Sequence, residues 1–224
     1  MKDFDADGAP DGDWEERDEL AWTEFDWEQY LRQQDAAIAK YLEHYEGLEA
    51  RPDRIDESAR LMGWDEGDWN SENLDEVDLD EMPEDWDDLE PYSVHRNPVY
   101  VATKAIFSGL WRRIGAFPQI PDPAVAKSVI GLAATCHQCE DAASLAIHAL
   151  DLGDYSMAVS LFKRALRGLN SALSVVATIE ASPAAGCQEF ATAARLRLFD
   201  LREICLRVME ECRQEATRPL EDEG

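Results

Sequence analysis

The chain has 224 residues, of which 45% are hydrophobic, and a formal net charge of −27, a composition that allows one or two folded domains. The charge is concentrated in residues 1–97, which hold 33 acidic and 8 basic residues, whereas residues 98–224 hold 15 and 13. So acidic a segment repels phosphate backbones and anionic lipid headgroups, which disfavours binding to nucleic acid or to a membrane surface through it.

Three features indicate a cytoplasmic protein. The first ten residues are acidic, whereas a secretory leader needs basic residues followed by an apolar stretch. The longest apolar segments, near residues 125–134 and 169–179, are too short to span a bilayer. Five cysteines in a chain with an ample core do not form the even-numbered pattern of a secreted disulfide framework.

Residues 1–97 are predicted to form an acidic, tryptophan-rich arm. One amphipathic helix is predicted over about residues 23–48, because Thr23 and Asp26 form a capping box and apolar residues follow at helical spacing. These apolar residues are Trp27, Leu31, Ile38, Leu42 and Tyr45. A short helical turn follows, and the acidic linker 64–93 is predicted to be largely extended.

Residues 98–216 are predicted to form an antiparallel bundle of about four helices. Asn97-Pro98 and Asp122-Pro123 each place a capping side chain before a proline at the first helical position. Apolar residues then alternate spacings of three and four, as expected for helices that bury a seam. The seams of the last three helices are Val125, Val129, Leu132, Cys136, Cys139, Ala143, Ala146 and Leu150; then Ala158, Phe162, Ala165, Leu169, Ala172, Val176 and Ile179; and finally Phe190, Ala194, Leu198, Leu201, Cys205, Val208 and Cys212. Short connections favour antiparallel neighbours, and residues 217–224 are predicted to be an acidic tail.

One short stretch resembles a known repeat. Residues 153–155 (Gly-Asp-Tyr), followed by small and aromatic residues at helical spacing, resemble the second half of a tetratricopeptide repeat. Those residues are Ala158, Phe162 and Ala165. The resemblance covers residues 142–170 and implies a tight helical hairpin there and, more distantly, peptide binding. Ala142 stands where the repeat has tryptophan, Asn170 replaces its closing proline, and no second copy follows at the repeat's period of about 34 residues.

Cys136 and Cys139 have the spacing of a redox or metal-binding pair. Thiols become reactive at a helix N-terminus, but these lie about 14 residues inside a predicted helix and lack that activation. If the second and fourth bundle helices run in the same direction, both cysteines and Cys205 could converge as metal ligands, with His137 or Glu140 at the edge. A buried cysteine is also an ordinary small core residue, and we prefer this interpretation. No cofactor is predicted.

Six of the seven tryptophans lie before residue 97. Disordered segments are poor in aromatic residues, so these rings are expected to be buried against something. Aromatic rings surrounded by carboxylates are suited to docking on a partner protein. The rings supply contact area, and the charges attract the partner as the two proteins approach each other. The candidate partner-binding residues are Trp22, Trp27, Trp64, Trp69 and Trp86.

The same rings could instead pack on this chain's own bundle, since similar chemistry serves both arrangements. The basic residues of the second half offer docking patches for the acidic arm. They are Arg112, Arg113, Lys163, Arg164, Arg167, Arg195, Arg197, Arg202 and Arg207.

No nucleophile-and-base pair or phosphate-binding glycine loop is recognisable, which argues against an enzyme. We therefore expect a non-enzymatic interaction or assembly protein, a helical bundle scaffold with an acidic aromatic docking arm that binds a protein partner or a second copy. One alternative is a metal-binding or thiol-redox bundle that uses the core cysteines. A second is a nucleic-acid mimic, whose arm occupies a basic groove on a DNA-binding protein.

Overall fold

The computed structural model of the protein describes residues 22–48, 51–64, 94–117 and 122–217. All regular secondary structure in these ranges is helical, which confirms the all-α prediction for them. The α-helices are α1 (Glu24–Gly47), α2 (Arg54–Leu61), α3 (Pro98–Gly115), α4 (Pro123–Asp151), α5 (Tyr155–Glu180) and α6 (Cys187–Thr217), and a 3₁₀ turn (Val94–Arg96) precedes α3. No helix in these ranges is long and apolar enough to cross a membrane. The predicted linker beyond Trp64, the tail beyond Thr217, Trp69 and Trp86 lie outside the described residues.

Side-chain caps fix the starts of α1, α3 and α4 at the predicted residues. At the start of α1, the Asp26 N–H donates to Thr23 Oγ1 and the Thr23 N–H donates to the Asp26 carboxylate at 2.9 Å, which is the predicted capping box. Asn97 and Asp122 accept backbone N–H groups at 2.9 and 2.8 Å before α3 and α4. Each cap satisfies an N–H that has no partner within its helix.

Helices α4, α5 and α6 bury the predicted seams against one another. Residues 152–154 alone join α4 to α5, and Gly153 adopts φ +72°, a left-handed conformation that allows the chain to turn back tightly. Helix α6 packs along α5, and α3 packs on both α4 and α6. Every seam residue is buried except Val129, which is half-buried. The alternating spacing therefore identified the core faces of these three helices.

The described part of the arm contributes to the same core. Helix α1 packs on α3, and α2 packs on α1 and α3. Their buried side chains join one cluster with those of α3–α6, through Tyr41, Leu42, Tyr45 and Ile55. Helix α1 approaches α3 closely at Gly109, where a Cβ atom would lie 3.0 Å from Leu42 Cδ1. Independent folding of the second half, without α1 and α2, stays a prediction.

Candidate interaction surfaces

The first turns of α1 carry an aromatic cluster. The ring centroids of Trp22 and Trp27 lie 4.9 Å apart, and Tyr30 contacts both rings at 5.6 and 6.0 Å. The buried Tyr30 ring also meets His95 of the 3₁₀ turn at 6.2 Å, and the Arg96 guanidinium lies over it at 5.8 Å. Burial lowers the pKa of His95, which favours the neutral ring in these apolar surroundings. The cluster therefore ties the start of α1 to the residues just before α3.

Large apolar side chains remain exposed on the same turns. Phe25 is 74% exposed, Trp27 42% and Leu31 43%, and we call these three residues the α1 apolar surface. The helical spacing predicts Trp27 and Leu31 on the buried stripe, but the buried face of α1 is centred on Tyr30 and Tyr41. Successive residues are about 100° apart around a helix, so burial of Tyr30 turns Leu31 outward and leaves Trp27 at the edge.

A buried polar network fastens α1 and α2 to α6. Arg54 donates from Nε and Nη2 to the two carboxylate oxygens of Asp200 at 2.6 and 2.7 Å, and the Tyr45 hydroxyl donates to the same carboxylate. Burial raises the pKa of Asp200, and the hydrogen bonds from Tyr45 and Arg54 oppose that rise. Such a two-point contact fixes geometry as well as charge. Its role is structural, because the groups satisfy one another.

Arg197 is fully buried, so the prediction that it belongs to a basic surface patch is wrong. Its guanidinium donates to Glu46 Oε1 at 3.2 Å, and Arg112 of α3 donates to the other oxygen of Glu46 at 3.1 Å. The position of Arg197 in the sequence already indicates its burial. Arg197 lies three residues after Ala194 and four before Leu201, so it shares their face of α6. These contacts bring the described part of the arm onto the chain's own basic residues.

An open groove of about 610 Å³ lies between α2 and the C-terminal half of α6, and we call it the α2–α6 groove. Its floor is apolar and consists of Ile55, Ala59, Ile204 and Val208, and Trp64 forms one wall. Its rim is charged and consists of Asp56, Glu57, Arg60, Arg207 and Glu211. The Trp64 ring stacks on Tyr41 with centroids 5.6 Å apart, so the core holds this wall in place. Trp64 therefore serves a different surface from Trp22 and Trp27.

The two arginines of the groove rim are already paired, whereas one carboxylate is not. Arg207 donates to Asp56 across the groove, and Arg60 donates to Glu57 at 2.7 Å. The Glu211 carboxylate makes no hydrogen bond or ion pair with the residues that the structure describes. Burial raises the pKa of Glu211 to about 7, an effect that the nearby charge of Arg207 only partly offsets. The groove thus combines an apolar floor with one partly desolvated acid.

The candidate metal-binding cysteines lie in the core. Cys136, Cys139 and Cys205 are at most 3% exposed, and burial raises the pKa values of their thiols to about 12, 11 and 12. The thiolate is the form that attacks disulfides and binds metals, so burial disfavours the reactive form of these three sulfurs. Cys139 also sets the spacing between helices, because a Cβ atom at Gly168 of α5 would collide with its Sγ.

His137 does not join the cysteines. Its side chain is 70% exposed, and its Nε2 lies 3.7 Å from Asp141 of the same helix. Glu140, another possible ligand, is held by Trp111 Nε1 at 2.7 Å and by Lys104. In the part of the chain that the structure describes, no group of three or more His, Cys, Asp or Glu residues is arranged to hold a metal ion. The candidate ligands occupy different environments, the core for the thiols and solvent for the imidazole.

No family model, curated protein or solved structure matches the chain. The tetratricopeptide resemblance is therefore carried by the α4–α5 hairpin alone.

Proposed function

We propose that the protein is a non-enzymatic interaction or assembly protein, in which an antiparallel helical bundle carries an acidic aromatic arm that docks on a protein partner or on a second copy. The observation that carries this proposal is the exposure of the α1 apolar surface on a helix that is otherwise docked. Aromatic side chains held at a surface are typical anchors of protein interfaces, because they bury a large area with few rotatable bonds.

The anchors are held rigidly, which favours binding. The capping box fixes the first turn of α1, and the Tyr45 hydrogen bond to Asp200 fixes its last turns. A preformed surface loses less conformational entropy on binding than a flexible segment does. The Trp27 ring and the Leu31 side chain are thus presented in a defined arrangement, with no folding step required of this helix.

Charge favours a basic partner. The solvent-facing side of the first half of α1 is acidic through Glu24 and Asp35, whereas Glu28 is paired with Arg32 at 2.8 Å. Residues 65–93 add 14 acidic residues and no lysine or arginine, and they are joined at both ends to residues packed on the core, Trp64 and Val94. Clustered charge of one sign accelerates encounter with surfaces of the opposite sign and does so less at high salt. Direct binding of nucleic acid or of a membrane surface is not part of this proposal.

The test is a comparative pull-down with the full-length chain from its native host. The variant Trp27→Ala with Leu31→Ala removes two anchors, and the matched control Ile130→Ala with Leu145→Ala removes two exposed apolar side chains of α4. We expect at least one partner protein to be recovered by both the wild type and the control. Its recovery should fall about tenfold with the α1 variant, because that variant removes a central anchor of the interface.

Self-association is measured on the same proteins by sedimentation. A dimer that the α1 variant dissociates and the α4 control preserves would support the second-copy form of the proposal. If the α1 variant keeps every partner and the same mass while circular dichroism shows it folded, the proposed docking surface is wrong.

A further inference from the structure

We infer that the α2–α6 groove is a second docking site, and that its occupant is a cationic amphipathic segment of a partner protein. The segment places apolar side chains on the floor of the groove and a lysine or arginine beside Glu211. This inference rests on the proposed interaction role of the protein, but it uses none of the residues of the α1 apolar surface.

The shape of the groove suits inserted side chains. Its volume of about 610 Å³ lies within the range of about 300–1,000 Å³ typical of ligand-binding clefts. Ile55, Ile204 and Val208 form its floor and belong to the packed core, so the floor is preformed. On the far side of the Asp56–Arg207 pair the surface continues into a hollow of about 310 Å³, beside the half-exposed ring of Phe199. That hollow is lined mainly by charged side chains, including Arg202 and Glu203, so the apolar contact surface is the floor of the groove itself. An open apolar floor of this kind fits a helix or strand of a partner.

The charges of the groove select a cation. An anionic occupant would meet arginines already engaged by Asp56 and Glu57, and it would approach Glu211 with like charge. A lysine or arginine from a partner would instead stabilise the ionised form of Glu211, whose hydration is reduced by burial. An occupant that complements the groove therefore carries one positive charge next to apolar side chains.

The charge of the sequence after Trp64 also favours a cationic occupant. Trp64 is part of the wall, and the next residue begins a sequence of 29 residues with 14 carboxylates and no lysine or arginine. This concentration of negative charge in the sequence next to Trp64 attracts a cationic segment rather than an anionic one. The same charges oppose insertion of residues 65–93 themselves, because carboxylates would then be placed against Glu211.

The inference is tested with a short synthetic helix of leucine and lysine, labelled with a fluorophore, and with its counterpart in which glutamate replaces lysine. Binding to the full-length protein is followed by fluorescence anisotropy at about pH 8, where Glu211 is ionised. We expect Glu211→Gln to weaken binding of the lysine peptide about tenfold. The matched control Glu210→Gln removes the same charge from the neighbouring exposed position and should change affinity less than about twofold.

A second pair of variants separates the groove from the α1 apolar surface. Trp64→Ala should also weaken peptide binding, whereas Trp27→Ala should leave it unchanged. Equal effects of Glu211→Gln and Glu210→Gln, or equal affinity for the glutamate peptide, would overturn the inference, since binding would then follow net charge alone. A dimer that Trp64→Ala dissociates would also overturn it, because a second copy would be the occupant. Failure of the α1 pull-down bears on the proposed function and leaves these results intact.

Discussion

Gly168 is a position where a missing side chain determines how closely two helices pack. It lies in the interior of α5, facing the Sγ atom of Cys139 on α4. Glycine inside a helix is less favourable than alanine by about 0.5–1 kcal/mol. The glycine is nevertheless the residue that fits, because any Cβ atom there would overlap the sulfur.

We predict that Gly168→Ala lowers the free energy of unfolding by about 1–3 kcal/mol in the wild-type background, as expected for overpacking. In a Cys139→Ala background, Gly168→Ala should instead raise the free energy of unfolding by up to about 1 kcal/mol. The overlap with the sulfur is then absent, and only the higher helix propensity of alanine contributes. Urea denaturation of the four proteins measures the coupling between the two positions.

Gly131→Ala on α4 is the control, since no atom lies within 4 Å of its added Cβ. It should be mildly stabilising in both backgrounds. Additive effects of Gly168→Ala and Cys139→Ala would show that the two helices adjust freely, contrary to this account.

At this scale, sequence patterning predicted apolar burial well and polar burial poorly. Cys136, Leu169 and Leu201 are all at most 1% exposed, as their spacing indicated. Asp200 and its partner Arg54 are also buried, but they are 146 residues apart in sequence. A charge is predicted to face solvent unless its partner is known, and spacing within one helix carries no information about that partner.

The short helix α2 illustrates how an element too small to be stable alone is held in place. It spans eight residues, Arg54–Leu61, whereas isolated helices shorter than about 12 residues are marginal in water. Ile55 and Ala59 contribute apolar contacts, and the Arg54–Asp200 ion pair fixes its first turn on α6. The position of α2, and with it one wall of the α2–α6 groove, depends on these contacts.

We predict that Arg54→Ala lowers the free energy of unfolding by about 3 kcal/mol, because it leaves the Asp200 carboxylate buried without its main partner. Replacing both residues, with Arg54→Met and Asp200→Leu, should recover most of that loss. Chemical denaturation measures the stability, and hydrogen exchange of α2 shows whether this helix opens first.

Arg51→Ala provides the matched control, because Arg51 pairs with Asp53 at a half-exposed position. Its removal should cost less than about 1 kcal/mol. A similar loss for Arg51→Ala and Arg54→Ala would mean that burial of the ion pair is unimportant.

The starts of the capped helices were predictable, because capping is a local interaction. The neighbour against which each helix packs was not predictable. Thr23, Asn97 and Asp122 lie within three residues of the N–H groups that they cap, so the sequence contains the whole interaction. The apolar stripe of α1 predicts that the helix is covered on one side. It does not specify that α3 covers it, nor that α2 and α6 form a groove.

For the molecule as a whole, the change in charge near residue 97 does not coincide with a break in packing. Tyr41, Leu42 and Ile55 belong to the acidic half by sequence and to the common core by position. Composition reports which segments repel phosphate or attract basic surfaces, but it does not report where the core ends. The charge therefore locates the candidate docking arm, and only the fold shows that part of this arm is built into the scaffold.

We predict that a fragment of residues 94–217 remains helical by circular dichroism but melts at a lower temperature than the full-length chain. The seams of α4, α5 and α6 are complete within it, whereas the faces of α3 and α6 that α1 and α2 cover become exposed to water. The full-length chain under the same conditions is the reference. An unfolded fragment would mean that α1 and α2 are required for the bundle to form.

The burial of every cysteine has a practical consequence for following the protein in solution. All five thiols are free and none reaches solvent in the folded chain, so a maleimide dye finds no accessible native sulfur. A single cysteine introduced at the exposed position Ile130 can then carry a fluorophore or spin label without prior removal of native thiols. Such a probe would report distance changes between α4 and a labelled partner on the otherwise unaltered chain.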